Sequence, residues 1–373
     1  MKFIGRNAFT GCKSLESISI PSLDKKIKFN DVFSGCESLM KIEFPSATNP
    51  IPVPNIDDYE ITELIFNNPN NIFKGVNKKT GKEVVIKHFK QTVILIRINA
   101  ICGANVSQID LPGLVKTQSF RYPLTNKEKQ NTKLQSYETT YKDEKVEIDL
   151  TGYIAISEFM KNGNIDEITK KYLKTEGKEN EKMNPTIRSK IIFGVAATMK
   201  SLHKRKIIHK NLTNVNVLLD DKLEPRIGSF SFARFVDDPC ELEMAVGTPA
   251  WMAPETFIDD DEIYSYPVDV YSYSMFLYFM FSLNATFPDK KPIRTQQQIM
   301  MKMGRGDRPV RPERIPDHYW ELINKCWKQN PEDRPTFEEI TAILKEDKYA
   351  LDEFGMKTDL DQLHEYQRRI DVG

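Results

Sequence analysis

Apolar residues recur along this chain with two different periods. Between residues 186 and 204 they fall at helical spacing, which predicts a helix over Thr186–Lys204. The positions that carry this pattern are Ile187, Ile191, Val195, Met199 and Leu202. Val270–Leu283 is apolar on all sides. At about 14 residues it is too short to span a bilayer, so it predicts a buried core helix.

Strand-like runs come earlier in the chain. Tyr59–Phe66 reads YEITELIF, and a second apolar region, IFKGVNKKTGKEVVIKHFK, begins at Ile72. Asn77–Gly81 lies between two apolar runs and predicts a hairpin turn. Two polar stretches, Thr125–Asp149 and Gly177–Pro185, show no apolar period, and we expect exposed or disordered loops there.

The first 46 residues contain a repeat. Ala8–Ser22, AFTGCKSLESISIPS, matches Val32–Ser46, VFSGCESLMKIEFPS, at an offset of 24 residues. The spacing F-x-G-C-x-S-L-x-x-I-x-I/F-P resembles the BspA-like branch of the leucine-rich repeats. The resemblance implies stacked coils in which Cys12 and Cys36 form one ladder of the core rather than a disulfide. Such repeats usually bind proteins, so the segment is a candidate recognition arm.

Two coils are too few for independent stability, because about three are needed. Either these coils pack on the next domain, or they belong to a truncated or short member of the family. Ala47–Asp58 follows with three prolines, which favour an extended polyproline conformation and predict a semi-rigid linker.

Composition gives expectations about partners, cysteine chemistry and location. The 53 basic and 53 acidic residues give a formal net charge of zero, which offers no electrostatic reason to bind nucleic acid or an anionic membrane. The five cysteines are scattered and form no CxxC pair, and the N-terminus lacks the apolar region of a signal peptide. We therefore expect free thiols, no membrane span and a cytoplasmic protein.

Several motifs in the second part of the chain occur in a recognisable order. IIHKNLTNVNVLL spans Ile207–Leu219 and has the layout of H-R-D-L-x-x-x-N. EVVIK precedes it, GTPAWMAPE follows it, and KCWKQNPEDRPTF comes last. Together they resemble the protein kinases, in the tyrosine-kinase-like class.

The resemblance implies an α+β fold with a small β-rich lobe and a large helical lobe, preceded by the repeats. The domain limits that follow are 1–46 for the repeats, 47–58 for the linker, 59–346 for the kinase-like domain and 347–373 for a C-terminal tail. Within the tail, Leu360, Leu363 and Tyr366 have helical spacing, which predicts a short helix that packs on the large lobe or binds a partner.

The chemical positions of the family are altered. Asn211 stands where the catalytic Asp of H-R-D is expected, and an amide cannot accept the substrate proton. In RIGSFSF, Ser229 stands at the metal-binding Asp of D-F-G. The phosphate-loop glycines fall at Ile65, Asn67 and Asn70, and no acidic residue lies between Glu83 and Asp110 to pair with the strand lysine.

The resemblance also implies a nucleotide site. Lys87 is the phosphate-pairing lysine of the V-A-I-K strand, and Asn216 is the remaining magnesium-ligand position. Ser157 is the small gatekeeper, and backbone groups of Glu158 and Met160 face the adenine. Leu218, in the apolar run after Asn216, completes the set. We expect ATP as a candidate ligand, magnesium to be bound weakly or not at all, and no other metal site.

The scaffold positions of the family are kept. Asp269 is placed to bind the backbone of the catalytic loop, and Arg334 to pair with Glu255. The activation segment, residues 232–247, has no Ser, Thr or Tyr but carries four acidic residues. One of them could pair with Lys210 in place of a phosphate, or the loop could simply be a solvated acidic face.

Three functional hypotheses remain open from the sequence. The first is a catalytically impaired kinase, a pseudokinase, that acts as a signalling scaffold or allosteric partner through its repeats and lobes. The second is an unorthodox active Ser/Thr kinase that recruits a carboxylate from elsewhere. In the third, the repeat arm is the functional element and the kinase-like fold is a platform.

Overall fold

The computed structural model describes most of the chain. The described residues are 4, 7–20, 27–28, 32–33, 35–36, 38–39, 41–43, 52–66, 70–89, 106, 109–124, 126–141, 144–174, 183–236, 240–241, 248–258, 265–283, 295–353 and 356–371. The chain divides into two compact units. The first consists of Met1–Asp110, Val115–Phe159 and Asp237–Leu242, and the second of Leu111–Leu114, Met160–Val236 and Glu243–Gly373.

The repeat pairs with the register that the sequence predicts. Strand β1 (Ser17–Ser19) lies parallel to β3 (Lys41–Glu43), with Ser17 opposite Lys41, an offset of 24 residues. The rings of Phe9 and Phe33 stack with centroids 5.3 Å apart. Gly11 and Gly35 both have positive φ, +74° and +73°, which explains why each coil has glycine there. A further strand, β2 (Ile27–Lys28), lies between the two coils in sequence.

The prediction that Cys12 belongs to the core is wrong. Cys12 is exposed, whereas Cys36, its equivalent in the second coil, is 4% exposed and donates its thiol to the Phe9 carbonyl at 3.0 Å. Burial in a solenoid comes from the neighbouring coil, so the same residue type is buried in one coil and exposed in the other. Both thiols are free, as expected.

The coils pack on the sheet that follows them in the chain. One apolar cluster joins buried coil residues with residues of the small-lobe sheet. Its buried members are Ile20, Val32, Phe33, Cys36, Leu39, Phe89, Phe120, Tyr153 and Ala155. Of the two alternatives for the coils, this supports the first. Packing on the neighbouring domain supplies the burial that two coils lack.

The small-lobe sheet has five antiparallel strands in the order β4-β5-β6-β10-β7. Their bounds are Tyr59–Phe66 (β4), Asn71–Asn77 (β5), Glu83–Phe89 (β6), Thr117–Arg121 (β7) and Tyr153–Glu158 (β10). The predicted hairpin turn is confirmed: Gly81 has φ +68°, and the Asn77 side chain accepts the amides of Lys79 and Thr80.

Residues 125–149 do not form the predicted loop. They contain helix α1 (Asn126–Asn131) and a hairpin of β8 (Ser136–Tyr141) and β9 (Glu144–Asp149). Tyr137, Val146 and Ile148 alternate with polar residues and pack against the other face of the five-stranded sheet. The strand period could not be recognised in the sequence because tyrosine and threonine, rather than aliphatic residues, fill the inward positions of β8.

The described part of the linker is fastened to the first unit rather than free. Pro52 accepts the Phe120 amide at 2.9 Å. Residues Ile56–Asp58 form a 3₁₀ turn in which Ile56 is 1% exposed. The Asp57 carboxylate accepts the Leu134 amide at 2.8 Å. The predicted semi-rigid spacer is therefore wrong for residues 52–58.

The second unit is mainly helical. Its helices are Ile165–Lys174 (α2), Pro185–Lys204 (α3), Glu255–Ile258 (α4), Pro267–Ser282 (α5), Gln296–Gly304 (α6), Asp317–Cys326 (α7), Phe337–Leu344 (α8) and Leu360–Ile370 (α9). Two short antiparallel pairs join β11 (Ile207–Ile208) with β14 (Arg234–Phe235), and β12 (Val217–Leu219) with β13 (Pro225–Ile227). The predicted α+β class, with a β-rich small lobe and a helical large lobe, is confirmed.

The predicted helices of the large lobe are present. Helix α3 begins after Asn184, whose side chain accepts the Ile187 amide, and Pro185 occupies its first position. Helix α5 is buried along almost its whole length. In the tail, α9 buries Leu363, Tyr366, Gln367 and Ile370, so it packs on the large lobe. None of the described helices combines the length and apolar character needed to cross a membrane.

Three further short strands complete the described structure. β15 (Cys240–Glu241) pairs in parallel with β2 in the first unit, and β16 (Asp352–Glu353) pairs with β17 (Met356–Lys357) in the second. The pairing of β15 with β2 joins the backbone of the activation segment to the repeat region.

Candidate nucleotide and catalytic site

Lys87 lies in the middle of the small-lobe sheet. Its strand partners are Ile72 on β5 and Ala155 on β10. The side-chain amine lies 4.9 Å from the centre of the Phe89 ring. Desolvation of this half-buried side chain lowers the pKa of Lys87 to about 8. The helix expected to follow, with its lack of acidic residues, lies almost entirely outside the described residues.

The loop that would cover phosphate groups is only partly described. β4 ends at Phe66 and β5 begins at Asn71, so a short connection joins the strands where a glycine-rich loop is expected. Ile65 is 43% exposed, and the side-chain oxygen of Asn70 is buried without a hydrogen-bond partner. Asn67 lies outside the described residues.

The end of β10 carries the predicted hinge residues. The Ser157 hydroxyl lies 3.2 Å from that of Thr117, and the Glu158 carboxylate accepts the Lys116 amide at 2.9 Å. Met160, the next predicted residue, is buried and accepts the Gly163 amide at 3.0 Å. Among the residues that the structure describes, none accepts the Met160 amide proton.

Asp269 on α5 holds the catalytic loop, as predicted. Its carboxylate accepts the backbone amides of His209 and Lys210, both at 2.8 Å, and lies 3.0 Å from the His203 ring nitrogen. Burial opposes the ionisation of Asp269, but the hydrogen bond from His203 and the nearby imidazoles outweigh it, so the pKa lies below its ordinary value. Lys210 has φ +65°, a backbone conformation that these two hydrogen bonds help to hold.

His209 is fully buried and uncharged. Its Nδ1 accepts the Asn211 amide at 3.2 Å, which leaves the proton on Nε2 to be donated to the Gly228 carbonyl at 3.1 Å. Burial lowers the pKa of His209, although Asp269 acts in the opposite direction. The Phe230 ring meets the imidazole edge-on at 5.3 Å. His209 thus links the two loops that carry Asn211 and Ser229.

Asn211 and Asn216 are directly connected. The Asn216 side-chain amide donates to the Asn211 carbonyl at 2.8 Å, and the Asn216 carbonyl accepts the Gly228 amide at 2.9 Å. The Asn211 side-chain oxygen is buried without a hydrogen-bond partner. This oxygen can accept a hydrogen bond from a hydroxyl group, but an amide cannot take up the proton.

Leu218 lies within β12, and Ser229 follows the end of β13. Ser229 is exposed, has φ +64° and caps no helix with its side chain. Leu218 is half-buried and bridges to Asn164, while Leu219 donates its amide to the Gly163 carbonyl at 2.9 Å. The large lobe therefore connects the residues after the hinge, the catalytic loop and the Ser229 loop through backbone hydrogen bonds.

The oxygens at the two expected magnesium positions are neutral. Asn216 offers an amide and Ser229 a hydroxyl, whereas magnesium in such sites is held through carboxylates and phosphate oxygens. In the described residues no group of three or more His, Cys, Asp or Glu side chains is arranged to hold a metal ion. At these two positions the side chains offer only neutral oxygens, whereas magnesium sites are usually built with carboxylates.

The scaffold ion pair is present as predicted. Arg334 donates to both oxygens of Glu255, at 2.6 and 2.8 Å, and to the Pro267 carbonyl at 3.0 Å. The Arg334 side chain is fully buried and that of Glu255 is 13% exposed. A fork of this kind fixes the end of the activation segment to α5 and the loop before α8.

Sequence reasoning missed two polar groups, Asp166 beside the catalytic loop and Thr213 within it. The Asp166 carboxylate accepts the Asn214 side-chain amide at 3.0 Å and pairs with Lys170 at 2.6 Å. The Thr213 hydroxyl is buried without a hydrogen-bond partner. Nothing in the sequence marks either group, because Asp166 lies 45 positions before Asn211 in sequence and is brought close only by the fold. The suggested pairing of Lys210 with an acid of the activation segment involves side chains outside the described residues.

Comparison with known proteins agrees with this geometry. A profile of the family described as "Protein tyrosine and serine/threonine kinase" matches residues 132–344, more than half of the chain. Residues 2–125 match the "BspA type Leucine rich repeat region" in six copies. That second span extends into the antiparallel small-lobe sheet. Among the described residues, pairing at a 24-residue offset is seen between β1 and β3.

Three relatives illustrate the similarity. The RGS domain-containing serine/threonine-protein kinase A of Dictyostelium discoideum is 32% identical over 195 residues, which are 52% of this chain and 16% of that protein. The serine/threonine/tyrosine-protein kinase HT1 of Arabidopsis thaliana is 28% identical over 193 residues, 52% of this chain and 47% of that protein. The Arabidopsis serine/threonine-protein kinase STY17 is 30% identical over 157 residues, 42% of this chain and 27% of that protein. Each alignment spans less than half of the relative's own length.

Proposed function

Since the chain belongs to the protein tyrosine and serine/threonine kinase family, we propose that it is a catalytically impaired member, a pseudokinase. It binds nucleotide with little help from magnesium and acts as a signalling scaffold or allosteric partner. The observation that carries this proposal is the contrast between scaffold and chemistry. Asp269 and the Arg334–Glu255 pair are in place, while Asn211 and Ser229 cannot do what a base and a metal carboxylate do.

The expected loss of activity is large. Kinases typically turn over at ~1–100 per second, and removal of a general base costs ~10²–10⁴-fold. Ser229 removes the anionic oxygen that would hold the metal, and with it the neutralisation of charge on the transferred phosphoryl group. Asn211 keeps the ability to orient a hydroxyl group, so a slow residual reaction is compatible with the proposal.

Nucleotide binding rests on Lys87 and the hinge. With a pKa of about 8, Lys87 is still mainly protonated at pH 7 and can pair with phosphate oxygens. The Met160 amide supplies a donor for the adenine edge. Because the metal positions are neutral, we expect ATP and ADP to bind with similar affinity whether or not magnesium is present.

Calorimetry of ATP and ADP binding, with magnesium and with EDTA, tests this proposal. Binding that changes less than about threefold on removal of magnesium supports it. Lys87→Ala is the control and should weaken binding. A strong requirement for magnesium, or phosphotransfer to a protein hydroxyl at kinase-like rates, would overturn the pseudokinase assignment. Absence of nucleotide binding would leave a protein scaffold alone.

One observation favours the alternative of an active Ser/Thr kinase. Asp166 lies beside the catalytic loop through its hydrogen bond to Asn214, so a carboxylate is already close to the loop that carries Asn211. In an active enzyme it would serve as the recruited base. Radiometric phosphotransfer by the wild type, compared with Asp166→Asn and Lys87→Ala, decides between the two. Activity lost in both variants supports the enzyme, and activity at background in all three supports the pseudokinase.

The partners proposed are proteins that bind the repeat segment and the lobes. Leucine-rich repeats present ordered surfaces for protein binding, and their coils here pack on the small lobe, so both parts can act as one surface. Zero net charge and free thiols are consistent with a cytoplasmic protein that does not bind nucleic acid. The domain limits 1–46, 47–58, 59–346 and 347–373 belong to the same proposal.

A further inference from the structure

We propose that Phe89 is a positioning residue that connects the repeat coils to Lys87, so that packing of the coils sets how well Lys87 serves the nucleotide. The inference rests on the proposed nucleotide role of Lys87 and adds a regulatory input to it. A protein that binds or displaces the coils would thereby change nucleotide affinity from within the same lobe.

The geometry begins on β6. Successive residues of a strand point to opposite faces of its sheet, so Lys87 and Phe89 share one face. The Lys87 amine lies 4.9 Å from the centre of the Phe89 ring, within the range of a cation–π contact. On the neighbouring strand β10, Ala155 is the partner of Lys87 and Tyr153 is the partner of Phe89.

The same face receives the coils. Phe89, Tyr153 and Ala155 belong to one apolar cluster with residues of the second coil, which include Phe33 and Cys36. Phe89 is 4% exposed and Phe33 is 1% exposed, so both rings are buried within this cluster. A continuous apolar path therefore runs from the coil through Phe89 to the amine of Lys87.

Lys87 has charged neighbours on this face, and apolar packing affects the pKa of its amine. Lys74 and Glu83, which lie on the same face, pair with each other at 2.6 Å. For Lys87 itself, desolvation is the cause of the lowered pKa. Apolar surroundings therefore lower the pKa of the Lys87 amine, while the Phe89 ring favours the protonated form.

The two cysteines provide a matched pair for the test. Cys36 is buried in the cluster and Cys12 occupies the equivalent position one coil earlier but is exposed. Cys36→Ser puts a hydroxyl into the apolar contact between coil and sheet. Cys12→Ser makes the same chemical change in solvent.

The first measurement is the titration of Lys87 by NMR of ¹³C-methylated lysines in the full chain, with the signal assigned by Lys87→Arg. In the wild type, we expect a pKa near 8. Cys36→Ser should raise it toward the ordinary value of ~10.4 as water enters, and Cys12→Ser should leave it unchanged. Equal titration curves in wild type and Cys36→Ser, with circular dichroism showing an intact fold, would overturn the inference.

Substitution of Phe89 separates the effect of the aromatic ring on the pKa of Lys87 from the effect of apolar packing. Phe89→Leu keeps an apolar side chain but removes the ring, which should lower the pKa of Lys87 by ~0.4–1.5 units because the cation loses its π partner. Phe89→Tyr keeps the ring and should restore a value close to wild type. A rise or no change in Phe89→Leu would remove the role given to the ring.

The second measurement is nucleotide affinity in a double-mutant cycle. Cys36→Ser lets water reach and screen the Lys87 charge, so it should weaken ADP binding in the wild-type background even though the amine stays protonated. In Lys87→Met it should have no effect, whereas additive losses would contradict the coupling. If the wild type binds no nucleotide, the proposed function fails, and the NMR titration, which needs no ligand, then decides this inference by itself.

Discussion

Single residues carry the chemistry proposed for this chain, and its sequence identifies the candidates by motif spacing. Asn211 and Ser229 could be assigned because the motifs around them are intact, and a motif fixes each position by its spacing. The structure adds what the spacing cannot show. The Asn211 side-chain oxygen is buried without a partner, and Ser229 is exposed with a left-handed backbone.

Restoring the acidic residues tests the two positions together. Asn211→Asp supplies a base but leaves Ser229 without charge for a metal, so we expect phosphotransfer to stay near background. Asn211→Asp combined with Ser229→Asp should raise it by ~10²-fold or more, with dependence on magnesium. The measurement is radiometric phosphotransfer to a generic protein substrate. The double variant with Lys87→Ala is the control, and high activity in Asn211→Asp alone would contradict the prediction.

The buried His209 makes stability depend on pH. Its pKa is lower in the folded chain than the ordinary ~6.5, so the unfolded chain binds more protons below that pH. The contribution of His209 is complete above ~6.5 and is lost as pH falls toward the folded pKa. We expect the free energy of unfolding in urea to fall between pH 7.5 and pH 5.5.

A matched pair of variants identifies the group responsible. His209→Gln should flatten this pH dependence, because glutamine does not titrate. His318→Gln should flatten it less, since the pKa of that half-buried imidazole is also lowered by burial but the side chain is partly open to solvent. The same slope in His209→Gln and wild type would show that His209 does not titrate on unfolding.

At the scale of elements, segments with a regular apolar period were predictable. Segments whose inward positions are not aliphatic were not. Helix α3 starts one residue before its predicted limit because its apolar spacing is regular. The β8–β9 hairpin was missed because Tyr137, Thr139 and Tyr141, rather than aliphatic residues, hold the inward positions of β8. The burial of Cys36 was predicted, but the exposure of Cys12 was not, because equivalent positions in two repeats can differ in which neighbours cover them.

The contact between α3 and the tail helix α9 offers a test at this scale. A Cβ on Gly194 would lie 2.0 Å from the Tyr366 hydroxyl and 2.7 Å from the Pro225 side chain. The gain in helix propensity, about 1 kcal/mol, should be outweighed by overpacking of ~1–3 kcal/mol. Gly194→Ala should therefore lower stability and expose the tail to limited proteolysis.

Tyr366→Phe provides the compensating change. The Tyr366 hydroxyl is buried without a hydrogen-bond partner, so its removal should cost little by itself. In Gly194→Ala it should restore part of the lost stability, because the atom nearest to the new methyl group is gone. Urea unfolding of the two single variants and the double variant measures this coupling. Purely additive changes in the free energy of unfolding would show that the two side chains do not contact each other.

At the scale of the whole molecule, the repeats and the small lobe share one apolar cluster, and we expect them to fold as one unit. Coil residues such as Phe33 share an apolar cluster with Phe89, Phe120 and Tyr153, and each of these is at most 4% exposed. Removal of residues 1–46 would open that cluster to water. We expect the shortened chain to bind the dye ANS, to unfold at a lower temperature and to aggregate.

Hydrogen exchange distinguishes this from an independent arm. If the coils and the sheet fold together, the amides of β1 and β3 should open with the same free energy as those of β10, and Phe33→Ala should lower all three by ~3–5 kcal/mol, or to the limit of the unit's stability. Cys12→Ser, which changes an exposed atom, should alter none of them. Coil amides that exchange far faster than β10 in the wild type would contradict the prediction and separate the repeat arm from the small lobe.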